Sequence, residues 1–226
     1  MAMHKLEFRH RAYHGDSIET RHAQFIEGIS TLGKGWDLNG LGELPDIGSE
    51  LVLSVTLDKA LPPGIKGRLS YQYRDEGYLE NNAQYDDTLF IEFSSESVDF
   101  SDVVKRLFPS YVKAFSCYRA TLHNRALTRR DWPKVLDAFE ATGKDVNGRD
   151  GIYRINSVNY FDDALCRLEF NLTPSQIIEH LRGGVEIASE FENGILLIYT
   201  SHEVAESDLE GIDNEVRRLL SDSQAV

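Results

Sequence analysis

The sequence predicts an α+β fold: a mixed, largely antiparallel sheet with flanking amphipathic helices. Three observations predict it. Apolar residues recur in long stripes at helical spacing, short strand-like runs come in hairpin-like pairs, and no βαβ unit repeats along the chain. The 226 residues read as one domain, 1–226, with the polar stretch 142–150 as the place for any sub-domain boundary.

The elements follow in order. Lys5 to Arg9 has the mixed character of an opening strand. Asp16 with Glu19 three residues later reads as a capping box, after which Ile18, His22, Phe25, Ile26, Ile29 and Leu32 make one apolar helix face ended by Gly33 and Gly35. Glycines and Pro45 mark a loop around Trp36 as far as Gly48. Leu51 to Leu57 then alternates as a strand, Pro62-Pro63-Gly64 turns into a second, Arg68 to Arg74, and Thr88 to Phe93 forms a third. Phe100-Ser101-Asp102 opens a helix whose core stripe is Val103, Val104, Leu107, Phe108, Tyr111, Val112 and Phe115. Pro109 removes one backbone donor from it, which predicts a kink or break near Leu107.

Asp131 and Pro133 read as the start of a shorter helix carrying Val135, Leu136 and Phe139, with Gly143 as its C-terminal glycine. Ile152 to Phe161 is strand-like, Asp162-Asp163 caps a short helix toward Leu168, and Thr173-Pro174 caps another that ends at Gly183-Gly184. Val185 to Phe191 and Ile195 to Ser201 form a hairpin across Glu192-Asn193-Gly194, with Asn-Gly supplying the positive φ. Ser207 and Glu210 make a second capping box before Leu209, Ile212, Val216 and Leu219.

Charge is distributed in runs. The formal balance is −13, yet residues 75–104 hold nine carboxylates and no lysine or arginine, and residues 183–216 hold nine more. Between them, residues 105–134 carry eight basic side chains against Asp131 alone. Acidic surfaces of this kind repel nucleic acid and attract basic proteins. A composition 41% hydrophobic supports an ordinary core, and the longest apolar run, Ile195 to Tyr199, is too short for a membrane span. No secretory h-region is evident near the start, and Cys117 and Cys166 stand apart without CxxC spacing, so a soluble cytoplasmic protein with buried thiols is expected.

Chemical signatures are sparse. Gly33-Lys34-Gly35 and Gly40-Leu41-Gly42 lack the spacing of a phosphate-binding loop and follow a helix where a strand is required. His10, His14, His22, His123, His180 and His202 show no metal-ligand spacing, so no metal or cofactor is expected and the histidines read as surface or cap-proximal. No nucleophile elbow is present. With no catalytic signature, the chain reads as a binding protein and not an enzyme. Its contact surface is placed on the tyrosine-rich acidic segment Tyr71, Tyr73, Asp75, Glu76, Tyr78, Glu80, Tyr85, Asp86 and Asp87, and secondarily on Glu203, Glu206, Asp208, Glu210 and Asp213.

The block Ala12-Tyr13-His14-Gly15-Asp16, with Glu19, Ala23, Phe25, Leu32 and Trp36, resembles the opening of a bacterial immunity-protein family. Residues Gly151-Ile152 to Tyr160-Phe161 and Asn193 to Ile198, followed by an amphipathic helix, resemble its C-terminal layout; His14 stands where the family carries a tryptophan. The resemblance implies a non-enzymatic inhibitor of one cognate polymorphic toxin, a basic nuclease of the restriction-endonuclease type delivered by type VI secretion. It supplies no catalytic residue. Two alternatives stand beside it: a cytoplasmic enzyme whose site converges only in three dimensions, for example around Asp162, Cys166 and His180, and a scaffold in which the acidic blocks of one copy meet the basic 105–134 region of another. The oligomeric state stays open.

Overall fold

The computed structural model describes residues 2–41, 44, 52–75, 79 and 86–221. Its strands are β1 (Met3–Arg11), β2 (Val52–Thr56), β3 (Lys66–Gln72), β4 (Asp86–Ser94), β5 (Arg119–Asn124), β6 (Val158–Asp162), β7 (Ile187–Phe191) and β8 (Gly194–Ile198). They form one eight-stranded sheet in the order β2-β3-β4-β1-β5-β6-β8-β7. Every neighbouring pair is antiparallel. β5 and β6, which lie on either side of residues 142–150 in the chain, pair directly with each other.

Among the described residues the longer helices that cover it are α1 (Ile18–Ile29); α2, built from Phe100–Asp102, Val103–Leu107 and Phe108–Ala114; α3 (Arg125–Thr142); α4 (Asp163–Phe170); α5 (Pro174–Leu181); and α6 (Glu206–Ser221). One core lies where α1 and α2 meet the sheet, with Phe25, Ile29, Phe108 and Tyr111 packed against Leu6, Phe8, Leu89 and Ile91. A second gathers α4, α5 and α6 over β6 and β8. Strand alternation explains the division: Tyr160, Leu196 and Ile198 belong to the first core, whereas Phe161, Ile195 and Leu197 belong to the second. Both faces of β8 are therefore buried, which is why the longest apolar run of the chain falls there. Gly194 opens that strand so close to β6 that a Cβ would strike the Phe161 carbonyl oxygen.

Several elements differ from the expectations. Asp16 does not cap α1; Ser17 does, its hydroxyl accepting from the Thr20 amide at 3.2 Å. The Pro109 disturbance is absorbed as a π-helical turn over Val103–Leu107 instead of a break. α3 starts at Arg125, six residues before Asp131, because Asn124 caps it by accepting from the Ala126 and Leu127 amides. β6 spans only Val158–Asp162 of the expected 152–161 run. In the β7–β8 hairpin the positive φ falls on Glu192 and not on the Asn-Gly pair. α6 begins at Glu206, which puts Ser207 inside its first turn. The caps at Asp162 and Thr173 are found as expected.

Candidate functional site

β1 alternates strictly. His4, Leu6, Phe8 and His10 face the first core, while Lys5, Glu7, Arg9 and Arg11 face the other side. His10 thus ends an apolar row with an imidazole. Its Nδ1 lies 2.8 Å from the Ser116 carbonyl, which can only accept, so Nδ1 carries the proton and Nε2 presents a lone pair. Asp16 Oδ2 lies 3.5 Å from Nε2. The one-residue shift of the α1 cap releases Asp16 for this position.

The chamber is completed from three other elements. Asp87, on β4, accepts from Arg74 at 2.9 and 2.6 Å and from the Gln72 amide at 2.9 Å. Arg74 also lies 3.6 Å from Asp16, and Arg21 of α1 lies 3.5 Å from it. Tyr71 of β3 contacts His22 Nδ1 at 3.1 Å. His10 and Asp16 are 9% and 8% exposed, and Asp87 is fully buried. Burial, with the Arg21 cation behind it, holds the His10 imidazole below its ordinary value, against the pull of Ser116, Asp87 and Asp16.

Three buried polar atoms in this chamber have no hydrogen-bond partner among the described residues: His10 Nε2, Asp16 Oδ2 and Arg21 Nε. Buried polar groups are hydrogen-bonded in the great majority of cases, and here the Asp16 oxygen has instead His10 Nε2 and Arg21 Nε, each 3.5 Å away, in ion-pair range but beyond good hydrogen-bond distance. Two surface clefts border the cluster, one at His10 and the other at Asp16. One, of about 260 Å³, is lined by His10, Arg11, Ser116 and Tyr118; the other, of about 340 Å³, by His14, Asp16, Tyr73 and Arg74.

This overturns the expectation of a chain without enzyme chemistry. His10, Asp16 and Asp87 each offer one ligand atom, all within 4.8 Å of one another, and form a buried imidazole–carboxylate cluster of the kind that serves proton transfer or metal coordination. The histidine was expected at the surface because linear spacing carries no sign of it. His10, Asp16 and Asp87 come from a strand end, a loop and a second strand 71 residues further on. No protein-family model matches the chain, and no curated protein matches it. The resemblance of its two ends to the immunity family therefore rests on those blocks alone.

The expected contact surface is rearranged. Tyr71, Asp86 and Asp87 are interior and present no contact face. Asp86 is held by Arg9 at 2.9 Å, Arg149 at 2.6 Å and the Tyr118 hydroxyl at 2.6 Å. Tyr73 and Asp75 are exposed. Glu76, Tyr78, Glu80 and Tyr85 lie outside the described residues. In the second block, Glu203, Glu206, Asp208 and Glu210 are exposed, although Glu203 reaches His4 at 3.0 Å and Glu210 pairs with Arg130. Asp213 turns inward to the Ile155 amide and Arg217.

The segregated charge is largely settled within the chain. The basic run meets the first acidic block through Arg125–Glu92 and the second through Lys105–Glu186, Lys113–Glu192 and Arg130–Glu210. Four contacts of the kind imagined between two copies are thus made inside one. Of the other trio, Asp162 caps α4 and Cys166 sits one turn on, while His180 makes no hydrogen bond or ion pair to either among the described residues. No helix among the described residues is long and apolar enough to cross a membrane.

Proposed function

We propose that the chain is an enzyme of the hydrolytic class, with its site in the His10–Asp16–Asp87 chamber. The facing pair of buried, unpartnered acceptors, His10 Nε2 and Asp16 Oδ2, carries this reading. Two lone pairs 3.5 Å apart repel unless hydrogen or positive charge lies between them. A water bound there would donate to His10 Nε2 and Asp16 Oδ2 and accept from Arg21 Nε–H, the three partners that hold an internal water. His10 then acts as general base. As the water oxygen bonds to the electrophilic centre of an ester, its proton passes to His10 Nε2; the bond to the leaving oxygen breaks, and His10 returns the proton to that oxygen. Asp16 orients the water, and Arg74 and Asp87 fix the chamber wall. Substrate enters by the cleft at Tyr73 or the one at Arg11. The two unpaired, buried cysteines support a cytoplasmic setting.

The test is turnover of small carboxylic and phosphoric esters by the purified chain. Activity that falls by at least about 100-fold in both His10→Ala and Asp16→Asn, with folding preserved, supports the reading. Turnover equal in wild type and both variants removes the chamber from the chemistry.

A second reading keeps the capture of a basic protein partner, such as a nuclease toxin. The exposed carboxylates Glu203, Glu206 and Asp208 favour it, Glu203 and Glu206 lining a cleft of about 620 Å³. Co-purification with a toxin encoded next to the gene tests it, and loss of association rate on reversing Glu206 and Asp208 is the expected outcome.

A further inference from the structure

We propose that His10, Asp16 and Asp87 form a binding site for one first-row divalent cation, of the zinc or manganese kind, which enters by displacing Arg74 from Asp87. The inference rests on the same chamber as the hydrolytic reading and gives it a different occupant: an ion on His10 Nε2 takes the lone pair that would otherwise accept the proton, so the general-base step belongs to the ion-free chain. Bonds of about 2.1 Å at tetrahedral angles put neighbouring ligand atoms about 3.4 Å apart. The His10 Nε2 to Asp16 Oδ2 distance is 3.5 Å, and the Asp87 carboxylate completes a set within 4.8 Å.

The surroundings agree with this. His10 donates its other ring proton to the Ser116 carbonyl at 2.8 Å, the outer contact that orients metal-bound imidazoles. Nε2 and Asp16 Oδ2 are both buried and make no hydrogen bond among the described residues, although Arg21 and Arg74 lie 3.5 and 3.6 Å from that oxygen. One imidazole with two carboxylates suits borderline first-row ions better than calcium, which takes six to eight oxygens. Two guanidinium groups compete with the ion: Arg21, 3.5 Å from Asp16 Oδ2, and more directly Arg74, which grips both Asp87 oxygens. Its Nε also donates to the Asp16 carbonyl at 3.0 Å and its Nη1 to the Gln72 carbonyl at 2.7 Å, so the guanidinium keeps two acceptors after giving up the carboxylate.

The full chain, dialysed against chelator, is titrated with Co²⁺ read by visible absorption and with Zn²⁺ by calorimetry. Saturable one-to-one binding is expected, weakened at least about tenfold in His10→Ala and Asp87→Asn. Arg74→Gln is the variant that misfolding cannot mimic, because removing this competitor tightens binding. Absence of one-to-one binding in wild type, or Arg74→Gln binding no tighter than wild type, overturns the proposal. Cation uptake without ester hydrolysis leaves this site standing and sinks the hydrolytic reading; chelator-resistant hydrolysis without cation uptake does the reverse.

Discussion

Asp86 and Asp87 are consecutive residues of β4 whose carboxylates serve opposite faces of the sheet: Asp86 holds Arg9 and Arg149, and Asp87 holds Arg74 beside His10. In the sequence they look like one acidic dipeptide in a loop. The two-residue period of a strand separates them into two buried networks, one beneath the 145–149 loop and one in the chamber.

Asp86→Asn is expected to cost about 1–3 kcal/mol, because it removes the buried charge that Arg9, Arg149 and the Tyr118 hydroxyl share while leaving one acceptor oxygen in place. Arg9 keeps Asp145 at 3.1 Å, which limits the loss on its side. Urea unfolding measures the change. A loss below about 1 kcal/mol would mean that Arg9 and Arg149 find other acceptors.

Acid weakens the fold at the Glu7–His123 pair, whose atoms meet at 3.2 Å. Burial alone opposes charge on Glu7, but the His123 hydrogen bond and the fields of Lys5, His123 and Arg9 outweigh it and hold the carboxyl well below the usual range. A depressed carboxyl contributes stability above its unfolded value, about 4.3, and that contribution fades as pH falls below it. In urea titrations from pH 5 to 3, Glu7→Gln is expected to lose stability less steeply than wild type. Parallel curves would assign the acid sensitivity elsewhere.

Much of the fold was legible. α1, α2, α5 and α6 each carry one apolar stripe, and the β7–β8 hairpin has a turn between two apolar runs, so local pattern sufficed for them. The sheet order was not, since β1 sits between β4 and β5 and only tertiary packing brings these together. The site was hidden for two reasons. Asp16 matched a helix-cap pattern that Ser17 in fact fulfils, and His10 occupied the last core-facing place of a strand whose polar side is more conspicuous. A polar residue at the end of an apolar alternation was the one available signal.

The two thiols should be inert in the native state. Cys166 is fully buried, and burial, with Asp162 and Asp163 adding repulsion, pushes its thiol up to about 12. Burial pushes Cys117 up as well. The thiolate is the reactive form. A disulfide reagent at pH 8 is expected to leave both untouched until denaturant is added, then to titrate two per chain. Rapid native labelling of either would show that its helix or loop opens locally.

Pro133 lies inside α3, where its missing N–H leaves the Arg129 carbonyl without its helical donor. The helix nevertheless runs from Arg125 to Thr142. Leu127, Asp131 and Val135, at four-residue spacing, are its buried contacts, and Asp131 is fixed by Arg154 at 2.5 Å. Tertiary anchoring therefore carries the helix across a residue that costs about 3 kcal/mol relative to alanine in a helix interior. Trp132 and Leu136 beside it are exposed, so no core contact requires the ring. Pro133→Ala is accordingly expected to stabilise the protein by about 1–3 kcal/mol, read as a higher thermal midpoint. A neutral or destabilising result would show that the bend at Pro133 is what lets Asp131 reach Arg154, and the same variant would then also lower the coupling between those two residues in a double-mutant cycle.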